Sequence, residues 1–481
     1  MVFEVLTAML LVSVPADASD LSTEVSSALR RATAYMRDSV STRGGYLWAY
    51  SRDLSIREGE FHPALQRDRA TASQIWVQPP GTPAMGLAFL DFFRTTGDSL
   101  YLFAARDAAD ALIWGQLAVG GWEYSIDFDS SQAAARFYRR NHLAGEQRGT
   151  RSNIATLDDN TTQSALTFLI KLDETIGFSE PVHSAALYGL ESVLSAQFAN
   201  GAWPQRYGPE GASADWGYSA YYTFNDQAIN KCITLMLTAH RVYRKERFLQ
   251  SAKRGGEFII ASQQAPPQEG WAEQYDWNMR PAAARSFEPP AISSAATASN
   301  ILTLIELYVE TGEERFLRPI PSALAWFGRS AVDIPPEFFV VRNTEPYQRG
   351  WARFYELGTN RPLFGDRDGQ VHYTFGEISE ERQKGYSWYG RYGDAARRSY
   401  EQLMARGRDE FATERAPLVP DPANTQRAHE LEPVVRSILS EMDNGCRWVD
   451  ADGMIRMKTF LNKTRLLNEF LLVSRGAELS H

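Results

Sequence analysis

Apolar residues recur at three- and four-residue spacing along most of the chain, the period of helices that bury one stripe. Leu166, Phe168, Leu169 and Leu172 form one such stripe. The pattern predicts a repeated unit of amphipathic helix, short turn, second helix and glycine-aromatic loop. A partial first copy covers Leu21–Ser41 and closes on Gly44, Gly45, Tyr46 and Trp48. The second has a helix over Ala84–Arg94, a turn at Gly97-Asp98 and a helix to about Gln116, then Gly120-Gly121-Trp122. The third runs Gln163–Ile176, turns at Gly177, continues over Val182–Gln197 and closes on Gly201-Ala202-Trp203. The fourth pairs Gln227–Tyr243 with Phe248–Gln264 before Gly270-Trp271, and a fifth begins at Ser299 and turns at Gly312.

The period is roughly seventy to eighty residues, longer than a tetratricopeptide or HEAT repeat. A helix pair with one apolar face must stack on neighbours to bury it. An all-α fold of the α/α-toroid kind follows, with loops gathered at one end around a groove; an irregular helical bundle is the alternative. The helical period fades over Ser125–Thr156, which reads as a long polar loop or flap over the groove. From Val332 to about Gly390 it gives way to short strands such as Val371–Phe375, and helix returns from Asp394 to His481.

Composition narrows the partners. A net charge of −9 and a pI near 5.5 argue against nucleic acid. A polyanionic substrate stays open, because Arg353, Arg361, Arg367 and Arg382 cluster in one region. The 12 Trp and 21 Tyr suit a groove that stacks sugar rings as well as a core. Val2–Val14 is a short apolar run followed by Pro15-Ala16-Asp17-Ala18, an export signal with cleavage near Ala18, although no Lys or Arg precedes it and Glu4 interrupts it. The expected organisation is a signal peptide over 1–18, the helical domain over 19–390 and a helical C-terminal extension over 391–481. No other run is long enough to span a bilayer. Cys232 sits in an apolar helical pattern and is expected as a buried free thiol.

Four segments carry candidate chemistry. Asp276–Ser294 holds Arg285 ahead of Glu288 and Pro289-Pro290, whose paired prolines exclude a regular helix and make a rigid loop. Arg285 is there either a reacting group or an arginine paired with Glu288 or Asp276. Thr156–Thr162 (TLDDNTT) and Tyr221–Gln227 (YYTFNDQ) put acids just before apolar helices. One of each set could cap its helix; acid-bearing helix starts in successive repeats would also meet at one end, as a carboxylate site for a hard cation such as Ca²⁺. Gly350–Gly390 presents arginines among aromatics, suited to bidentate grip on carboxylates, with Arg367 also flanked by Asp366 and Asp368. No nucleophile elbow, P-loop, HExxH or dinucleotide fingerprint is present, and the seven histidines form no ligand-spaced set.

TLDDNTT, GAWPQRYGP (Gly201–Pro209), YYTFND, ARSFEPPAISS and WARFYELGTNRPLFGDRDG together, in this order, resemble the polysaccharide lyase family 10 pectate lyases over roughly Gln78–Gly390. The resemblance implies an (α/α)3-toroid-like helical barrel, an open groove, Ca²⁺ dependence and β-elimination of polygalacturonate (pectate); the chain is separately expected to be a monomer with neither nucleic acid nor membrane as partner. It implies Asp159 and Asp226 at the calcium and substrate-carboxylate site, Arg285 as the Brønsted base, and Arg353 and Arg367 facing substrate. Asp158, Thr161-Thr162 and Arg206 depart from the usual family pattern. Rival readings are a glycoside hydrolase using Asp159 and Glu288, a pectin-binding protein without activity, and a lyase for another uronate polymer.

Overall fold

The computed structural model describes residues 16–60, 69–144, 153–414 and 425–478. The apolar run Val2–Val14 lies outside them. Helices dominate, joined by short strands that concentrate after residue 290, which is the all-α class read from the sequence.

The chain divides into two compact units. Of the described residues, one combines those up to Ile75 with Pro80–Ala108 and those of the C-terminal stretch 425–478. There the helix Ala16–Tyr35 packs with Met457–Glu478, and strand Ala49–Ser51 pairs antiparallel with Arg57–Glu58 and Met454–Arg456. Among the described residues, no helix is long and apolar enough to cross a membrane.

The other unit, mainly Ala109–Ala416, holds the helix pairs Thr161–Thr175 with Val182–Ser195, Ala228–Tyr243 with Glu246–Ser262, and Ser294–Thr311 with Ile320–Ser330. The first helices of these pairs start at near-equal intervals, somewhat closer than the sequence spacing suggests. Gly312 ends Ser294–Thr311 at φ 73°, a left-handed conformation that glycine adopts without strain.

Two polar ties repeat with the helices. Each loop tryptophan is fully buried and donates its indole N–H to a carbonyl of the preceding helix: Trp122 to Leu112 (2.9 Å), Trp203 to Val193 (2.8 Å) and Trp271 to Ile259 (2.7 Å). A glutamine after each helix spans to the next pair. Gln116 donates to Gly120 and Ala185, Gln197 to Gly201 and Ser251, and Gln263 to Glu269 and Pro319. Carbonyls of each closing loop and of the next helix pair thereby share one amide donor, which ties the loop to its neighbour.

The excursions that follow return to the same points. Thr156 donates its backbone N–H to Trp122 O (3.0 Å), Thr223 to Trp203 O (3.2 Å) and Ser293 to Trp271 O (2.8 Å). Leu157 N–H then bonds Gln205 O and Phe224 N–H bonds Glu273 O, so TLDD and TFND occupy equivalent positions in successive repeats.

Ser125–Thr156 differs from the long loop expected of it. It contains strand Ser125–Asp127, short helices Ser130–Ala134 and Arg139–Leu143, and strand Ala155–Thr156; residues 145–152 lie outside the described ones. Polar residues make this order possible without an apolar stripe: Asp129 caps the first short helix by accepting from Ser131 and Gln132 N–H, and buried Arg136 pairs with Glu123.

Beyond Ile320–Ser330, an antiparallel sheet orders Val371–His372, Pro362–Gly365, Phe354–Glu356 and Ala291–Ser293. It covers a core of Phe338, Phe354, Leu363, Phe364, Phe375 and Trp388. Strand Phe354–Glu356 carries Arg353 at its entry, and Pro362–Gly365 leads into Asp366-Arg367. Cys232 is buried and free, as expected.

Candidate active site

The backbone in front of two helices is strained in the same way. Asp159 and Asn160 have φ of 50° and 59°, and Asp226 and Gln227 have φ of 47° and 63°. Non-glycine residues in this region cost about 1–3 kcal/mol each and persist where function requires them. The residues at the N-cap positions of helices Thr161–Thr175 and Ala228–Tyr243 are Asn160 and Gln227, and neither caps its helix with its side chain. Carboxylate oxygens of Asp158, Asp159 and Asp226 lie within 4.8 Å of one another.

The donor set fits a hard divalent cation. All three ligand types are carboxylate, and the buried Oδ1 of Asp158 has no hydrogen-bond donor among the described residues, an unmet acceptor that an oxygen-seeking ion would satisfy. Tyr124 donates to the other oxygen of Asp158 (2.7 Å) and orients it. Part of Asp226 meets solvent, yet crowding by protein atoms, followed by the nearby charge of Asp158, pushes its carboxyl up to about 6 against the opposing pull of Arg353 and Arg285.

Arg285 and Glu288 form a fork: Arg285 Nε donates to Glu288 Oε2 (2.8 Å) and Nη2 to Oε1. The structure pairs Arg285 with Glu288, one of the two sequence alternatives, and places it within electrostatic reach of Asp226. Desolvation lowers its pKa, but the Glu288 hydrogen bonds and charge more than offset this and hold it above the ordinary arginine value. Burial raises the Glu288 carboxyl, and the Arg285 hydrogen bond and charge outweigh it, leaving the group below the usual range. An acid so held donates no proton near neutrality, which weakens the hydrolase pairing of Asp159 with Glu288.

Arg353 is buried and ion-paired with Glu273 (2.8 Å), and its guanidinium lies 4.3 Å from the Tyr386 ring centre. Glu273, also accepting from Ser293 (3.0 Å), is pushed up to about 7 by burial, partly countered by Arg353. Arg367 does not pair side chain to side chain with Asp366 or Asp368; its guanidinium reaches Glu381 (3.2 Å) and its backbone N–H bonds Asp366. It nonetheless comes close to the Arg285 loop, because Arg285, Arg367 and Arg382 surround the Phe287 ring at 4.8, 5.0 and 4.3 Å. Arg361 stacks instead on Tyr373 (3.9 Å).

The structure thus gathers Asp159, Asp226, Arg285 and Arg353, with Arg367 beside Phe287, and adds Asp158, Glu273 and Tyr386. Glu273 had one signal in sequence: a lone acid within the apolar and aromatic stretch Gly270–Tyr275. Tyr386 had none.

Gly365 fixes how the loop lies. A Cβ at this position would be 2.4 Å from the Phe287 carbonyl oxygen, so only glycine lets the Arg285 loop rest on strand Pro362–Gly365. Gly365→Ala is expected to destabilise the protein by about 1–3 kcal/mol, as overpacking does, and to lower turnover by displacing Arg285. Thermal melts alongside rates check both; an unchanged rate would separate the loop position from activity.

The model of the pectic acid lyase family matches residues 116–396. Among solved structures, a family 10 polysaccharide lyase from Cellvibrio cellulosa is 23% identical with a TM-score of 0.50, covering 67% of this chain and 97% of its own. An aspartate-to-alanine mutant of a Cellvibrio cellulosa family 10 polysaccharide lyase, in complex with trigalacturonic acid, has the same identity and TM-score and is covered over 98%. A D-mannose isomerase is 14% identical with a TM-score of 0.46, covering 95% of this chain and 99% of that one. No curated protein matches. An α/α-toroid-type helical fold carrying clustered carboxylates and arginines is thus that of a polysaccharide lyase. The chain belongs to the pectic acid lyase family.

Proposed function

We propose that this lyase cleaves polygalacturonate by calcium-assisted β-elimination, releasing 4,5-unsaturated oligogalacturonides. The observation that carries the reading is the meeting of Asp158, Asp159 and Asp226 with Arg285 and Arg353 in one electrostatic neighbourhood. The trigalacturonic acid bound by the Cellvibrio mutant supports the substrate. Asp159 and Asp226, with Asp158 beside them, would hold Ca²⁺, which when bound supplies positive charge opposite the uronate carboxylate.

Arg353, fixed by Glu273 and Tyr386, presents a preorganised cation to the carboxylate on which charge builds when C5 loses its proton. Arg367 adds a further grip on substrate. Arg285 in its neutral form takes the C5 proton; the C–H electron pair becomes the C4–C5 double bond, and the C4–O bond breaks, its oxygen taking a proton from solvent. A protonated guanidinium accepts nothing, so the rate should climb with pH. Below the Arg285 pKa the neutral fraction grows about tenfold per pH unit. Export is consistent with the apolar run Val2–Val14 and with a polymeric substrate; the enzyme would act outside the cytoplasm, secreted or periplasmic, as a monomer.

The test is ultraviolet absorbance of the unsaturated product on polygalacturonate across alkaline pH, with Ca²⁺ or EDTA. A rise abolished by EDTA supports the reading. Reducing ends without absorbance would replace elimination by hydrolysis, and turnover of a different uronate polymer alone would replace the substrate.

A further inference from the structure

Three donors of Arg285 converge on one carboxylate. Its backbone N–H (3.2 Å) and Nε (2.8 Å) reach Glu288 Oε2 and its Nη2 reaches Oε1, while Nη1 has no partner among the described residues. Glu288 has almost no exposed side chain and is itself held: the Tyr386 hydroxyl donates to Oε1 at 2.8 Å. Tyr386 is anchored in turn by Trp388 (4.9 Å) and Phe287 (5.3 Å) and lies under the Arg353 guanidinium (4.3 Å). One tyrosine therefore touches the partner of Arg285 and the face of Arg353.

We propose that Glu288 and Tyr386 are positioning residues for elimination, fixing the Arg285 guanidinium by its Nε and Nη2 edge so that Nη1 meets the sugar. This rests on the reading of Arg285 as the proton acceptor. A long arginine side chain otherwise samples many rotamers, and a reacting atom an ångström out of place loses much of its rate. The link to Arg353 keeps the nitrogen that takes the proton in register with the cation that receives the carboxylate.

The experiment measures kcat and KM on polygalacturonate with Ca²⁺ for Glu288→Ala, Glu288→Gln and Tyr386→Phe in the full chain, with Arg285→Ala and Arg285→Lys as controls and melting temperatures throughout. Orienting partners typically contribute 10–100-fold; losing Glu288 also eases deprotonation of Arg285, which offsets part of this, so kcat is expected to fall about tenfold in both Glu288→Ala and Tyr386→Phe, with KM steady. Glu288→Gln should recover part of the loss, because its amide oxygen still accepts one N–H. In an Arg285→Lys background, Tyr386→Phe should cost nothing further.

Wild-type kcat in both Glu288→Ala and Tyr386→Phe, a loss lying wholly in KM, or an undiminished Tyr386→Phe loss in the Arg285→Lys background would overturn the proposal. Arg285→Ala at the wild-type rate would overturn the proton-acceptor reading with it, whereas an inactive Arg285→Ala beside fully active Glu288 and Tyr386 variants would sink the positioning role alone. Should Glu288→Ala not fold, Tyr386→Phe, which keeps the packed ring, decides the question.

Discussion

Arg285→Lys should cut turnover by about a hundredfold or more, to a residual rate that can still be measured, while the protein melts near the wild-type temperature. General-base groups contribute about a hundredfold to ten-thousandfold, and an ammonium at this position has neither the planar fork that Glu288 grips nor the nitrogen left over for the sugar. Arg285→Ala should lose the same rate but a different amount of stability. Arg285 itself is 45% exposed, so little packing is lost, yet Glu288 is only 4% exposed and would keep Tyr386 alone as a donor. A buried carboxylate stripped of its cation costs about 1–3 kcal/mol or more. Lysine, which leaves a charge nearby, is thus the cleaner probe. Rates and melts on both variants check this; near-normal turnover in either removes Arg285 from proton transfer.

Asp226→Asn should abolish calcium-stimulated turnover and at the same time stabilise the metal-free protein at neutral pH. The Asp226 carboxyl is raised to about 6 in the fold, above its unfolded value, chiefly by the protein atoms crowded around this partly exposed group and then by Asp158. Its favourable, protonated contribution is complete below the unfolded pKa and is lost as pH rises through about 6. At pH 7 in EDTA the wild type therefore holds an unfavourable charge that asparagine lacks. Asparagine also tolerates the left-handed φ of 47° at this position, whereas Asp226→Ala would add backbone strain to the loss of a ligand. Melting temperatures with EDTA and with Ca²⁺ should show the wild type gaining on addition of the ion and the variant unchanged. A calcium titration unaltered in Asp226→Asn would place the ion elsewhere.

Much of this molecule was legible because its instructions are local. The helix stripes, the turns at Gly97 and Gly312 and the Gly-Trp closures each depend on neighbours in sequence, and they appear within a few residues of where the periodicity put them. The paired prolines kept Arg285 out of a helix. Equivalent acids at two helix starts suggested Asp159 and Asp226, and their carboxylates do meet. What escaped is held by contacts between distant positions. Nothing near Tyr386 announces Glu288, nor does anything near Arg353 announce Glu273. Asp158 looked like a departure from the family pattern, yet its carboxylate lies with those of the other two acids. Arg367 drew attention to adjacent aspartates, while its guanidinium found Glu381. The short helices after Asp129 lack an apolar stripe, so a periodicity reading passes over them.

The return of each excursion to its starting tryptophan divides the helical unit into a frame and a set of cassettes. The described part of 123–155, and residues 204–222 and 272–292, each have their two roots joined by a backbone hydrogen bond, at Trp122, Trp203 and Trp271. Lengthening a loop whose two roots are already joined costs only slowly growing closure entropy, about 0.6 kcal/mol per doubling. The first cassette carries the polar insertion, the second PQRYGP and the third Arg285 with Glu288. Grafting between relatives should therefore respect these roots: a first cassette exchanged at Trp122 and Thr156 should leave the aspartates where they are only if it retains Tyr124, whose hydroxyl bonds Asp158.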